Sequence, residues 1–123
     1  MSTFKTALLN HIEAINNRDL QKFAEYLDPS RETVLILPNG HKIEGYNDIL
    51  NFHNEWFSDK DWKMECHIIN LLPDEKFSYS LLDVIYYDVD EDGKQYSLSY
   101  YLSLLFEKVD DRWILIRDQN TLK

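Results

Sequence analysis

FSYSLLDVIYYDVDEDGKQYSLSYYLSLLFEKVDDRWILIRDQNT, Phe77 to Thr121, is the stretch that decides the fold. Apolar and polar residues alternate along it with the period of two that marks a strand, and the alternation breaks only at Asp92-Gly93 and Asp110-Asp111. Three strands joined by turns this short must be antiparallel neighbours. The run Trp62 to Leu72, which ends at Pro73-Asp74, extends the series to a four-stranded meander. Upstream the period changes to that of a helix. Phe4, Leu8, Ile12 and Ile15 form one stripe, with Ser2-Thr3 available as a cap. Leu20, Phe23, Ala24 and Leu27 form a second stripe, between a capping Asp19 and a terminating Pro29. Glu32 to Leu37 reads as a short strand closed by Pro38-Asn39-Gly40, with His41 to Glu44 as its return. Asn47 to Phe57 is a third helix, with Ile49, Phe52, His53 and Trp56 on one face. Helices at one end of the chain and strands at the other give an α+β domain over residues 1–123, a curved antiparallel sheet packed on a helical hairpin and a third helix.

A chain of 123 residues, 44% hydrophobic and 14% aromatic, can close a core without disulfides or metal. Thirteen Lys and Arg against 22 Asp and Glu give a net charge of −9, which repels nucleic-acid phosphates and anionic membranes. Cys66 is the single cysteine, and the opening MSTFKTALLNHIEAIN lacks the charged and apolar regions of a signal peptide, so a cytoplasmic location is the expectation.

The register of the central hairpin fixes which residues face inward. If Asp92-Gly93 are the centre of a two-residue turn, Leu82 opposes Ser103, Val84 opposes Tyr101 and Tyr86 opposes Ser99 on one face. The other face then carries Leu81, Ile85 and Tyr87 against Leu98, Tyr100, Leu102 and Leu104. Two apolar faces with helices for only one of them predict a homodimer built sheet on sheet.

The segments HIEAINNRDLQKFAEYL (His11 to Leu27), LPNGHKIEGYNDI (Leu37 to Ile49) and FEKVDDRWILIRDQNT (Phe106 to Thr121) resemble the nuclear-transport-factor-2-like superfamily in its SnoaL-like and ketosteroid-isomerase-like branches. The resemblance covers essentially the whole chain. It implies a cone-shaped domain with an apolar cavity, which commonly dimerises through the sheet. It sets His11 where the isomerases have a tyrosine oxyanion donor, Leu37 near their general base and Ser103 near their second acid. A leucine cannot abstract a proton, so steroid-type isomerisation by that route is not expected. The resemblance also turns Ile114, Ile116, Asp118 and Asn120 toward the cavity.

His11 lies on the inward stripe of the first helix, and an inward imidazole needs a partner or must stay neutral. With Asp118 it would make an acid-base pair, and these two are the catalytic candidates. Without such a partner His11 is a core histidine. The wall of the cavity is expected to be Leu37, Trp56, Leu82, Val84, Tyr86, Ser99, Tyr101, Ser103, Ile116 and Asn120, a mixture suited to a small apolar or amphipathic molecule. Phe52, His53 and Trp56 also have a plain reading as core. No motif calls for a cofactor or a metal. The four histidines are scattered, and Asp88-x-Asp90-x-Asp92-Gly93 opens like a calcium loop but has Ser99 where the bidentate glutamate belongs. There is no G-x-S-x-G and no phosphate-binding glycine loop. Two functions remain: a small-molecule-binding domain, with a cofactor-free isomerase, cyclase, dehydratase or hydrolase among its forms, and a noncatalytic homo-oligomerisation module of the same fold.

Overall fold

The computed structural model describes residues 3–123. Helix α1 spans Phe4–Asn16, and the Thr3 side chain caps it by accepting from the Thr6 amide. Ser2, the other capping candidate, lies outside the described residues. Helix α2 is only Leu20–Ala24, capped by Asp19 through the Lys22 amide. It is shorter than its stripe suggests, because the chain from Glu25 to Leu27 continues as tight turns. Strands β1 (Val34–Ile36) and β2 (Lys42–Glu44) make a small antiparallel hairpin. Its turn is stiff: Gly40 donates to the Leu37 carbonyl, Asn39 Oδ1 accepts from the His41 amide, and Gly40 sits at φ +87°. Helix α3 (Tyr46–Ser58) follows, and then β3 (Lys63–Leu72), β4 (Phe77–Val89), β5 (Gln95–Val109) and β6 (Arg112–Leu122).

The six strands form one sheet in the order β2-β1-β6-β5-β4-β3. The four long strands are the antiparallel meander read from the sequence. The sequence did not disclose that β1 joins β6 in parallel, with Leu35 opposite Asp118. The core lies between the inner face of the sheet and the helices, and includes Leu8, Phe23, Ile49, Leu82, Val84, Leu104 and Phe106. Trp62, 1% exposed, anchors the far end. It stacks on Trp56 at 4.3 Å and donates its indole N–H to the Trp56 carbonyl. The Arg18 guanidinium lies over its other side at 4.1 Å and binds the Asp59, Lys60 and Trp62 carbonyls, tying the α1–α2 corner to the start of β3. No described helix is long and apolar enough to cross a membrane.

Two registers differ from expectation. The β4–β5 turn has three residues, Glu91, Asp92 and Gly93, between Asp90 and Lys94. Asp90 Oδ1 accepts from both the Asp92 and Lys94 amides, and Gly93 closes the turn at φ +78°. One added turn residue moves every partner on β5 by one. Leu82 therefore opposes Leu102, Val84 opposes Tyr100 and Tyr86 opposes Leu98. On β6 the ladder slips at Ile116, since Leu105 pairs with Arg117 and Phe106 with Leu115. This β-bulge turns Trp113 and Leu115 into the core and Ile114 onto the opposite face, reversing the expected sides, while Asp118 and Asn120 keep theirs. A second irregularity lies between Ile68 and Asn70 on β3, and together the two bulges curl the sheet.

If the Asp90 carboxylate and Gly93 select the three-residue turn, Asp90→Ala and Gly93→Ala each lower stability by roughly 1 kcal/mol. Urea denaturation of each variant at neutral pH measures the loss.

Candidate functional site

Between α3, the β1–β2 hairpin and the inner face of the sheet the core opens into a cavity of about 340 Å³. Its walls are apolar and aromatic. Leu35, Leu37 and Pro38 come from the hairpin, Phe52, His53 and Trp56 from α3, Met64 from β3 and Tyr86 from β4. Leu98, Tyr100 and Leu102 come from β5, and Asp118 and Asn120 from β6. The helical spacing of α3 puts Phe52, His53 and Trp56 on one side, and alternation on β5 puts Leu98, Tyr100 and Leu102 on one face.

The polar groups are few and mostly fixed. Asn120 donates its side-chain N–H to the Ile36 carbonyl at 2.7 Å and to Asp118 Oδ1 at 3.2 Å. A carbonyl can only accept, so this orientation of the amide is forced. Burial pushes the Asp118 carboxyl up from 3.8 to about 7, while the bond from Asn120 pulls it down to a lesser extent. His53 donates from Nδ1 to the Ile49 carbonyl at 2.8 Å and stacks on Phe23 at 3.9 Å. Burial lowers it to about 4, with the Ile49 bond opposing, so the ring is neutral at pH 7 and Nε2 carries the lone pair. The Tyr86 hydroxyl is committed: it donates to Asp88 Oδ2 at 2.7 Å and accepts from Trp56 Nε1 at 3.3 Å. Burial and Asp88 raise its pKa. The Tyr100 hydroxyl points at the Met64 thioether, 3.7 Å away, which is a weak acceptor.

Of the residues read from the sequence, Leu37, Trp56, Tyr86, Asp118 and Asn120 come together on this cavity. Leu82 and Val84 share the inner face but are fully buried beneath the core rather than on the wall. Ser99, Tyr101 and Ser103 lie on the opposite face of the sheet, where the three-residue turn puts them, and Tyr101 is 40% exposed. Ile116 is the half-buried bulge residue, away from the cavity. His11 is fully buried and does not reach the cavity. Its ring is caged by Phe23, Tyr26 and Phe106 with centroids 4.9–5.6 Å away, and neither nitrogen has a hydrogen-bond partner among the described residues. Burial first, and then His53, lowers its pKa to about 3. The His11–Asp118 pair is therefore not formed: one member is sealed among aromatic rings and the other lines the hollow. The residues not anticipated are Ile15, Leu35, Pro38, Asn39, Phe52, His53, Met64, Leu98, Tyr100 and Leu102. The spacing of His53 with Trp56 signalled that it points inward but not that the core opens there.

The fold belongs to a recognisable class. The chain belongs to the SnoaL-like domain family, whose model matches residues 5–119. No curated protein matches it by sequence. Among solved structures it is similar to a protein with a cystatin-like fold from Caulobacter vibrioides, at 21% identity and a TM-score of 0.83, covering 98% of this chain and 87% of that one. A ketosteroid isomerase-like protein from Erwinia carotovora atroseptica superposes with a TM-score of 0.79 at 14% identity, covering 98% and 93%. A candidate calcium/calmodulin-dependent protein kinase type II association domain from Thiobacillus denitrificans gives a TM-score of 0.79 at 10% identity, covering 100% and 97%. At these identities the likeness is one of fold.

The buried groups write opposite signatures on stability. Asp118 holds its proton up to about pH 7 when folded but only to its ordinary 3.8 when unfolded. Its contribution to stability therefore falls as pH rises through that window, by on the order of 4 kcal/mol in total. His11 and His53 stay neutral down to about 3 and about 4 when folded, against 6.5 unfolded, so they remove stability as pH falls below 6.5. Urea denaturation between pH 4 and 8 separates the two effects. The difference between Asp118→Asn and wild type should grow in the variant's favour as pH rises, and a pH-independent difference would refute the burial of an ionisable Asp118. In the same titration His11→Leu should make the acid limb shallower by about one proton.

Proposed function

We propose that this SnoaL-like domain binds a small, largely apolar molecule in the cavity, with Asp118 as the group that holds or moves a proton at its polar end. One observation carries the reading: a carboxyl with its pKa near 7 lines an apolar hollow. Such a group is about half protonated at neutral pH, where an acid-base residue works best, and carboxyls perturbed this far by burial cluster at functional sites. Asn120, itself fixed by the Ile36 carbonyl, orients it. The hollow lies at the small end of the roughly 300–1,000 Å³ usual for ligand sites. His53 is a further polar group, a neutral acceptor lining the same cavity. With Leu37 at the position of the isomerases' base, the reading does not extend to steroid-type isomerisation.

A second reading, association of copies through the sheet, is favoured by the outer face. Leu81 and Ile85 are half-buried there, while Tyr87 and Tyr101 are each 40% exposed. The fold shared with a candidate kinase association domain supports it, and the two readings are compatible.

Titration with the uncharged fluorophore N-phenyl-1-naphthylamine tests the first reading. The expected result is saturable, blue-shifted emission at one site per chain, lost in Leu98→Trp, which fills the hollow. Emission unchanged by Leu98→Trp would place the fluorophore elsewhere and remove the support. Sedimentation velocity tests the second reading: a dimer is expected, converted to monomer by Tyr101→Glu, and a wild-type monomer at tens of micromolar would exclude it.

A further inference from the structure

The cavity has one ionisable acid and no counter-charge. Among the described residues no lysine or arginine lines it, and the groups with capacity left to bond are mostly acceptors. Asp118 Oδ1 is held by Asn120, leaving Oδ2 with no partner among the described residues. Asn120 gives both its recorded bonds through nitrogen, which leaves its Oδ1 for a ligand. His53 uses Nδ1 on the Ile49 carbonyl and keeps the Nε2 lone pair. With Asp118 ionised, two donors stand against these, the Tyr100 hydroxyl on its thioether and the side-chain N–H of Asn39, whose Oδ1 is taken by the His41 amide. Tyr86 has spent its donor on Asp88, and Trp56 has spent its own on the Tyr86 oxygen.

A ligand entering this set should bring what is missing, donors and positive charge. An anion would meet a carboxylate with no cation to receive it. A purely apolar ligand would leave three acceptors desolvated and unpaired. Resting on the reading of the hollow as a ligand site, we infer that the ligand is an amphipathic amine, with its ammonium group against Asp118 and its apolar body along Leu37, Leu98 and Leu102. An ammonium group carries up to three donors, enough for Asp118 Oδ2, Asn120 Oδ1 and His53 Nε2. Trp56, Tyr86 and Tyr100 line the same cavity, and an aromatic ring face attracts a cation and not an anion. The chain's net charge of −9 draws cations toward it in the same sense.

Three ligands with one phenylpropyl body and different ends decide the matter: 3-phenylpropylamine, 3-phenylpropanol and 4-phenylbutyrate, titrated by calorimetry at pH 8 and by displacement of N-phenyl-1-naphthylamine. The amine should bind at least about tenfold more tightly than the alcohol, and the carboxylate most weakly. In Asp118→Asn, which keeps an acceptor for Asn120, the amine's advantage should fall to within about twofold. Carboxylate binding equal to or tighter than amine binding in the wild type overturns the inference without need of any variant. So does an amine preference that survives in a folded Asp118→Asn protein, or failure of all three to displace a bound fluorophore. In each of those cases the hollow remains a ligand site. Failure of the fluorophore itself to bind removes the site, and the inference with it.

Discussion

A single extra residue in the last strand governs this molecule. Strand β6 must bury Trp113 and Leu115 at one end and present Asp118 and Asn120 to a cavity at the other. Those positions share a face only if the alternation skips once, and Ile116 is where it skips. The backbone around the skip is held from outside the ladder: the Leu115 amide donates to the Tyr26 carbonyl, and the Thr33 hydroxyl donates to the Leu115 carbonyl. Two residues further on, β1 takes over as a parallel neighbour, so Asp118 sits between Leu104 and Leu35. Its carboxyl is confined by strands on both sides, and its loss of hydration follows from that position.

The two buried histidines show how one residue type reaches different ends. Both are neutral and both lie against Phe23. His53 has the preceding turn of its own helix to take the Nδ1 proton, which fixes its tautomer and leaves its other nitrogen defined. His11 has three aromatic rings against it and, among the described residues, no hydrogen-bond partner for either nitrogen. Its burial is an energetic burden on the fold, whereas that of His53 furnishes the cavity with an acceptor.

Much of this was legible in the chain. The helical stripes, the Thr3 and Asp19 caps and the four long strands follow from local periodicity and capping chemistry, which act over a few residues. The register of the central hairpin was not legible, because a two-residue and a three-residue turn both accept Gly93 at positive φ. What separates them here is the reach of the Asp90 side chain to two amides. That difference moved Ser99, Tyr101 and Ser103 to the outer face and brought Leu98, Tyr100 and Leu102 to the cavity. The spacing of α3 showed His53 and Trp56 pointing inward. Whether an inward residue meets packed core or open space depends on where the opposing sheet curves away, and that is set by bulges whose sequence signal is weak. The cavity side of Asp118 and Asn120 came from the family resemblance, and they keep it where Ile114 and Ile116 do not, because the bulge falls before them.

The β1–β2 turn lends the cavity Leu37, Pro38 and Asn39, and it is among the most constrained pieces of backbone in the chain. Proline fixes one torsion, Gly40 occupies a conformation other residues resist, and the Asn39 side chain bonds the chain two residues on. A wall built this way resists movement. For any ligand bound there as proposed, this part of the wall would be ready-made, with no ordering of the turn to be met on binding.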